Sequence, residues 1–408
     1  MAAETADAVV VGGGITGASI AFHLAARGLK RVVLCERDAL CSGATGKTAA
    51  FVQVVETSWP EARITLASLR YYLHWDEIVG HGSCGFEQKG YLRVGTSDQE
   101  AKARLHAELL RSWGVDVDIL DQAGVAELAP YLDTSDVAFG IYQAVAGNAS
   151  ATEAAEGFVR RAEQLGARLH ARTPVRGIEV TGGRVSGVRT DRGIIAAPVV
   201  VLAAAGWNLD LLKEVGVRPP VALARTQLAQ FAWPDVPSSA TFVNVSDQIH
   251  GSYFTWDGVG RRFIAGLSAD HRQAVDDLDH FDESGDDSYG ERAGERLVAR
   301  LPAAAAARRG PGWAGPVTLT PDRAMIVDRH PELTGLHYIA GCNGRGFKGA
   351  PALGRAVAEW VVDGAPRTVD LRPFSAERFT HGGPFERDLE YSTASAEFDV
   401  LLSRTRPA

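Results

Sequence analysis

Apolar positions along this chain fall into short runs broken by glycine, and the first run already has a telling form. Ala8-Val9-Val10-Val11 is continuous and mostly β-branched, as expected of a strand covered on both faces of a parallel sheet. A glycine turn follows. Ile15 to Arg27 then places Ile20 and Leu24 with the small Gly17 and Ala21 on one side, which predicts a helix stopped by Gly28. Arg31 to Glu36 predicts a second strand, so the segment reads as one βαβ unit.

Periodicity predicts further helices over Ser58 to Val79, Ala101 to Trp113, Thr152 to Leu165 and Glu291 to Arg309, with strands over Gly90 to Gly95 and Ala138 to Tyr142. Leu169 to Ala171, Val175 to Val180 and Val185 to Thr190 predict a β-meander, with a hairpin turn at Thr181-Gly182-Gly183-Arg184. Pro198 to Trp207 reads as another buried strand ending on glycine, and Val221 to Leu267 is β-rich and aromatic. Asp270 to Asp287 is acidic and reads as a solvated loop or helix face. The last third offers a strand over Leu336 to Ala340, a glycine loop, and a helix from Ala352 to Val362. Residues after Phe374 read as a partly ordered, charged tail.

The chain's 408 residues suffice for two or three cores, and its 42 Lys+Arg against 50 Asp+Glu give a net charge of -8. No basic face for nucleic acid is indicated. Cys35, Cys41, Cys84 and Cys342 show no metal-ligand or disulfide spacing, so reduced thiols in a cytoplasm and no metal are expected. The longest apolar run, Ala196 to Trp207, is shorter than the ~20 residues of a membrane helix, so no membrane span is expected. Only six of the basic residues are lysines, and two of them, Lys47 and Lys348, lie in glycine-rich loops.

Gly12-Gly13-Gly14-Ile15-Thr16-Gly17 fits GxGxxG between a strand and a helix. Gly12 makes the tight turn, Gly14 admits a pyrophosphate to the backbone, and Gly17 lets helix pack on strand. Glu36, at the end of the second strand, is placed to accept from a ribose hydroxyl, and an acid there disfavours a 2′-phosphate. A dinucleotide is the expected ligand.

Four separated segments carry a wider likeness: this fingerprint with Glu36; the loop Ser42-Gly43-Ala44-Thr45-Gly46-Lys47-Thr48; the strand end from Ala203 to Trp207; and Gly341-Cys342-Asn343-Gly344-Arg345-Gly346-Phe347-Lys348. Over roughly residues 8 to 365 the chain resembles the D-amino-acid-oxidase-like flavoproteins, in particular their sarcosine-oxidase and dimethylglycine-dehydrogenase branch. The resemblance implies an α/β (α+β) fold: a Rossmann-like FAD-binding domain (1-85, 145-220 and 316-372) and a discontinuous β-rich substrate domain (86-144 and 221-315). Residues 373-408 would form the tail.

FAD contacts are then expected from Gly12, Gly14, Ile15, Thr16, Gly17, Glu36, Arg37, Ser42, Thr45, Gly46, Lys47, Thr48, Val175, Ala204, Gly206, Trp207, Gly344, Arg345, Gly346, Phe347 and Lys348. The second glycine loop would feed a helix whose positive end faces the flavin's pyrimidine edge. By resemblance Lys348 binds a substrate carboxylate, whereas Lys47 sits near flavin N5 or contacts phosphate or solvent.

Where covalent relatives carry a cysteine, this chain has Gly315 or Pro316, and no histidine lies between His23 and His74, so FAD should be non-covalent. Gln53 replaces the arginine expected as a second carboxylate partner. Tyr253, with Trp59 and Trp256, either walls a substrate pocket or is packing core; His250, read on an alternating strand with Ser252, Phe254 and Trp256, either faces the flavin or is structural. Arg225 is open between the same two roles.

The implied activity is oxidation of a C–N bond in a secondary or N-methyl amine or amino acid, with the flavin reoxidised by oxygen, giving H2O2, or by another electron acceptor. The alternatives are an FAD-binding subunit of a heteromeric dehydrogenase and an oxidoreductase of D-amino acids or 2-hydroxy acids.

Overall fold

The computed structural model describes residues 4–56, 58–268, 272–381 and 385. The β-branched run Ala8–Val11 is a fully buried strand at the centre of a six-stranded sheet. Across that sheet the strands run Arg168–His170, Val32–Cys35, Ala8–Val11, Val200–Leu202, Leu336–Ala340 and Ile326–Arg329; all are parallel except the last. Helices Ile15–Ala26 and Gly346–Asp363 pack on each other over this sheet. They approach so closely that a Cβ at Gly354 would lie 2.2 Å from Ser19 Oγ.

The expected meander is corrected in one strand. Arg168–His170 pairs with Val32–Cys35 in the parallel sheet, and the separate sheet is built by Val175–Thr181, Arg184–Thr190 and Gly193–Ala196 with the short Glu4–Thr5. Strand length alone cannot tell a meander strand from the edge of a parallel sheet.

A ten-stranded sheet carries the aromatic, β-rich sequence. Tyr91–Gly95 pairs antiparallel with Phe139–Gln143 and parallel with Asn244–Asp247, which continues antiparallel through Ser252–Asp257, Arg262–Leu267 and Ala222–Ala232. Trp313–Leu319 pairs with Ala222–Leu228, so one strand crosses the expected boundary at residue 316. Trp256, Phe254 and Phe263 fill the core beneath this sheet with Tyr289 and Leu297 from helix Asp287–Arg300. Trp59, by contrast, meets Trp113 edge-on at 5.1 Å.

Other boundaries shift for local reasons. The helix expected over Ser58 to Val79 breaks at His74 into Trp59–Leu73 and Trp75–Ile78, and the one expected to Arg309 ends at Arg300, before Pro302. The acidic stretch is a largely exposed loop, as expected, and it is tied to the body at two points: Asp279 meets Arg37 and Trp207, and Asp286 meets Arg225. Its first residue, Asp270, lies outside the described residues. Arg225 is buried, with Gln273, Ser284 and Asp286 as partners, which is a structural role. The tail begins anchored, because Arg378 donates to buried Asp322 at 2.6 Å; beyond Phe385 it lies outside the described residues.

Among the described residues no helix is long and apolar enough to cross a membrane, and no group of three or more His, Cys, Asp or Glu could hold a metal ion.

Candidate functional site

The parallel sheet ends its central strand in a turn that only glycine can make. Gly12 has φ +110°, and a Cβ there would lie 2.7 Å from Ala204 Cα. A Cβ at Gly17 would lie 1.9 Å from Gly12 O, so the helix start rests directly on the strand end. Gly14 differs, because it is extended (φ -78°, ψ 177°) and half-buried, and its Cβ would meet only Thr45 Oγ1, at 3.0 Å. That opening faces the start of a helix whose N-cap residue, Gly14 itself, offers no side-chain cap and whose first turn holds no acid. Thr16 is half-buried beside it, and the Ile15 N–H donates to Thr45 Oγ1 at 3.1 Å. Backbone donors bounded by glycine suit a phosphate.

Glu36 holds this turn from the next strand. Its Oε2 accepts from the Gly13 N–H at 2.7 Å and its Oε1 from the Asp38 N–H at 2.8 Å. Each oxygen keeps a second lone pair for a hydroxyl. Thr173, two residues before Val175, donates its N–H to the Glu36 carbonyl at 2.8 Å. Arg37 lies over the Trp207 ring at 4.7 Å, and both side chains reach Asp279. Ala204 donates its N–H to Asn208 Oδ1 at 2.9 Å, while Gly206 is closed in by Leu278 and Leu223.

The loop after Glu36 turns sharply: the Ser42 N–H donates to Ala39 O at 3.2 Å, and a Cβ at Gly46 would lie 2.5 Å from Cys41 O. Thr48 Oγ1 accepts from the Ala50 N–H at 3.0 Å. Lys47 is turned to the acidic segment, ion-paired with Glu283, with its Nζ 5.7 Å from the Phe281 ring centre.

The second glycine loop is tied down by Asn343, whose Oδ1 accepts from the Thr320 N–H at 3.0 Å. Gly344 has φ +77°, and the helix begins at Gly346, so Lys348 stands in its first turn and not in the loop. The helix start was expected after Pro351. That proline sits inside the helix, and the Phe347 carbonyl it leaves without an N–H partner accepts from Tyr72 Oη at 2.8 Å.

Around Lys348 the structure gathers charges from three distant segments. Lys348 Nζ is 2.6 Å from Glu56 Oε1, and Gln53 Nε2 donates to the same oxygen at 3.3 Å. Arg345 Nε lies 4.0 Å from Glu56 Oε2, and its Nη1 lies 3.1 Å from Glu61 Oε2. Arg93 donates from Nη2 to Val55 O at 2.8 Å. Burial pushes the Glu56 carboxyl up, but Lys348, Arg345 and Arg93 outweigh it and hold the group below its ordinary range, hence ionised. Burial and Arg93 push His106 down to about 3, so that imidazole is neutral. Gln53 is buried, and its Oε1 has no hydrogen-bond partner among the described residues.

Tyr253 enters from the other sheet. Its ring meets Phe51 edge-on at 5.7 Å, and a Cβ at Gly266 would lie 2.2 Å from Tyr253 Cζ, so only glycine fits under it. Burial raises its phenol. Arg272, Arg323 and Arg345 add positive charge here: burial and the two neighbouring guanidiniums lower Arg272 to about 10.

His250 is not in this group. It lies in the turn before strand Ser252–Asp257, not on that strand, and bonds through Nδ1 to buried Asp247 at 2.7 Å and through Nε2 to Asp136 at 3.4 Å. Buried Arg300 completes that cluster at 2.8 Å from Asp247. Glu56 and Arg93 escaped sequence reading, although an acid closing the mostly apolar segment Phe51 to Val55 and an arginine inside the predicted strand Gly90 to Gly95 were both visible signals.

A parallel sheet with a glycine cradle at its central strand, an acid on the next strand and a second sheet closing over it defines a dinucleotide-dependent protein. The chain belongs to the DAO family, FAD dependent oxidoreductase, which it matches over residues 7–360. It is 29% identical over 385 residues to 4-methylaminobutanoate oxidase (formaldehyde-forming) of Paenarthrobacter nicotinovorans, covering 91% of this chain and 46% of that protein. It is 26% identical over 393 residues to sarcosine oxidase subunit beta of Rhizobium meliloti (strain 1021), covering 92% and 89%. The chain thus spans under half the first relative and most of the second. Among solved structures, L-proline dehydrogenase from P. horikoshii superposes with a TM-score of 0.85 at 26% identity, covering 93% of this chain and 99% of that one. The cradle at Gly14, the Glu36 carboxylate and the acid-free helix start fit FAD.

Proposed function

We propose that this chain oxidises the C–N bond of a secondary or N-methyl amine or amino acid with non-covalently held FAD. The backbone at Gly14 and the helix start at Ile15 would hold the pyrophosphate, Glu36 the ribose, and the loop Ser42 to Thr48 with the helix start at Gly346 the flavin end. When bound, FAD would supply the two-electron acceptor for a hydride leaving the carbon beside the substrate nitrogen, and the resulting imine would be hydrolysed by water. The chain's own part is to bind and orient. Lys348 meets the substrate's carboxylate, Tyr253 and Phe51 wall the amine's apolar side, and the uncapped helix start at Gly346 stabilises negative charge opposite it.

The observation that carries this reading is Lys348: a lysine only 14% exposed, presented from the first turn of a helix in a cluster with Glu56, Gln53 and Arg345 that holds more than one cation. Anaerobic mixing of purified holoprotein with a panel of N-methyl amino acids, cyclic secondary amino acids, D-amino acids, 2-hydroxy acids and neutral N-methylamines tests it. Bleaching of the flavin by a secondary amine supports it, and bleaching only by 2-hydroxy acids or D-primary amino acids overturns it.

The 89% coverage of a sarcosine oxidase subunit beta favours a second reading, in which this chain works within a heteromer. A chain purified alone that is reduced by substrate but reoxidised by neither oxygen nor a dye would support that assembly.

A further inference from the structure

The lysine assigned to the substrate carboxylate already has an anionic partner. Glu56 is 3% exposed in its side chain and lies 2.6 Å from Lys348 Nζ. Gln53 donates to the same carboxylate oxygen, and Arg345 stands at 4.0 Å from the other. Glu56 therefore directs its charge chiefly into Lys348 and Arg345, the cations that would receive a ligand, with Arg93 a lesser partner. An incoming carboxylate meets a lysine whose field is largely cancelled, and to bond it fully it must take Nζ from Glu56. Glu61 does the same to Arg345, at 3.1 Å.

We propose that Glu56 is a specificity-determining residue: as the counter-ion of Lys348 it weakens the site's preference for carboxylate-bearing amines over neutral ones. The inference rests on the reading of Lys348 as the carboxylate partner. A lone buried lysine would favour an amino acid over the matching neutral amine by orders of magnitude, whereas a lysine shared with a buried glutamate discriminates only by what the ligand offers beyond Glu56. Gln53 fits the same logic. It is a neutral side chain beside the pair, so it adds no second cation, and its own carbonyl oxygen has no partner among the described residues. Glu56→Gln keeps the shape and an amide oxygen for Lys348 while removing the charge.

The test uses flavin-loaded protein, with acetate and pyrrole-2-carboxylate as probes and the flavin absorbance change as the readout, so it needs no turnover. Glu56→Gln should tighten both probes by roughly tenfold or more relative to the wild type, and Glu56→Gln/Lys348→Met should lose that gain. The ratio of kcat/KM for an N-methyl amino acid to that for a neutral N-methylamine should rise in Glu56→Gln by a similar factor. Glu56→Asp, if Glu56→Gln does not hold flavin, should move the probes in the same direction by less. Unchanged or weaker probe binding in a flavin-loaded variant overturns the proposal, as does failure of both variants to hold flavin, which would make Glu56 a packing counter-ion. Probes that bind neither wild type nor Glu56→Gln would instead refute the role given to Lys348.

Discussion

Gly14 and Gly17 stand three residues apart in one fingerprint, yet an added methyl should fail at each for a different reason. At Gly17 the Cβ would sit 1.9 Å from Gly12 O, so relief needs a separation of on the order of 1.5 Å between the helix and the strand end. That helix is packed between Ala151–Gln164 and Gly346–Asp363 and cannot retreat freely. Overpacking of this kind costs about 3 kcal/mol, or more where the backbone must yield, and in a chain of this size lowers Tm by roughly 5 °C. At Gly14 the backbone is already extended and the methyl would touch only Thr45 Oγ1, so the apoprotein should keep its Tm or gain slightly from a stiffer unfolded chain. Flavin binding is what Gly14→Ala should lose, because the methyl occupies the space a pyrophosphate needs. The assay is flavin content from the visible spectrum, with thermal melts of apoprotein prepared identically from each variant. Gly14→Ala that retains full flavin, or apoprotein melts lowered equally by both substitutions, would refute the cradle.

Glu36→Gln should weaken FAD by about ten- to hundredfold, read by flavin release on dilution, since a charge-assisted hydrogen bond contributes about 1.5–3 kcal/mol. Acid precipitation should release all the yellow colour to the supernatant, and flavin in the washed pellet would contradict non-covalent binding. Lys348→Met should lower kcat/KM for an N-methyl amino acid by roughly tenfold or more while hurting the neutral amine much less; equal losses on both would place Lys348 on the flavin. The Asp247 hydrogen bond raises His250 above its usual 6.5, against the pull of burial and Arg300. Its contribution is therefore complete below about pH 6.5 and fades as pH climbs through the raised value. The Tm difference between wild type and His250→Ala should be largest near pH 5.5 and shrink toward pH 9; a difference that grows with pH would reverse the assignment.

Local signals carried the cofactor half of this molecule. The βαβ unit, Gly12, Gly17 and Glu36 are fixed by short-range rules: a two-faced buried strand, a φ no other residue adopts, and an acid at the next strand's end. Gly166, at φ +103°, marks a helix stop equally well. Pairing across the chain was less legible. His170 and Cys35 lie in parallel register although nothing near Arg168–His170 distinguishes it from the strands that follow. His250 misled because its neighbours alternate, whereas Asp247 captures its ring and its backbone N–H and turns the chain there.

The start of the last helix shows how a strong local rule is overridden, and why the site depends on it. Proline inside a helix removes a donor and disfavours the preceding turn, so Pro351 argues for a start after it. Tyr72, from the helix Trp59–Leu73, donates to the stranded Phe347 carbonyl, and Ser68 Oγ donates to Gly349 O at 3.0 Å while accepting from the Ala352 N–H at 3.0 Å. Those partners lie far earlier in the chain, and with them the helix extends back to Gly346. The extension moves Lys348 from a loose loop to a fixed helical position facing the segment that ends in Glu56. A lysine in a loop could swing away from any partner, whereas one held in the first turn shares its charge with Glu56. The same long-range hydrogen bonds that hide the helix start from sequence reading therefore set the charge balance of the candidate site.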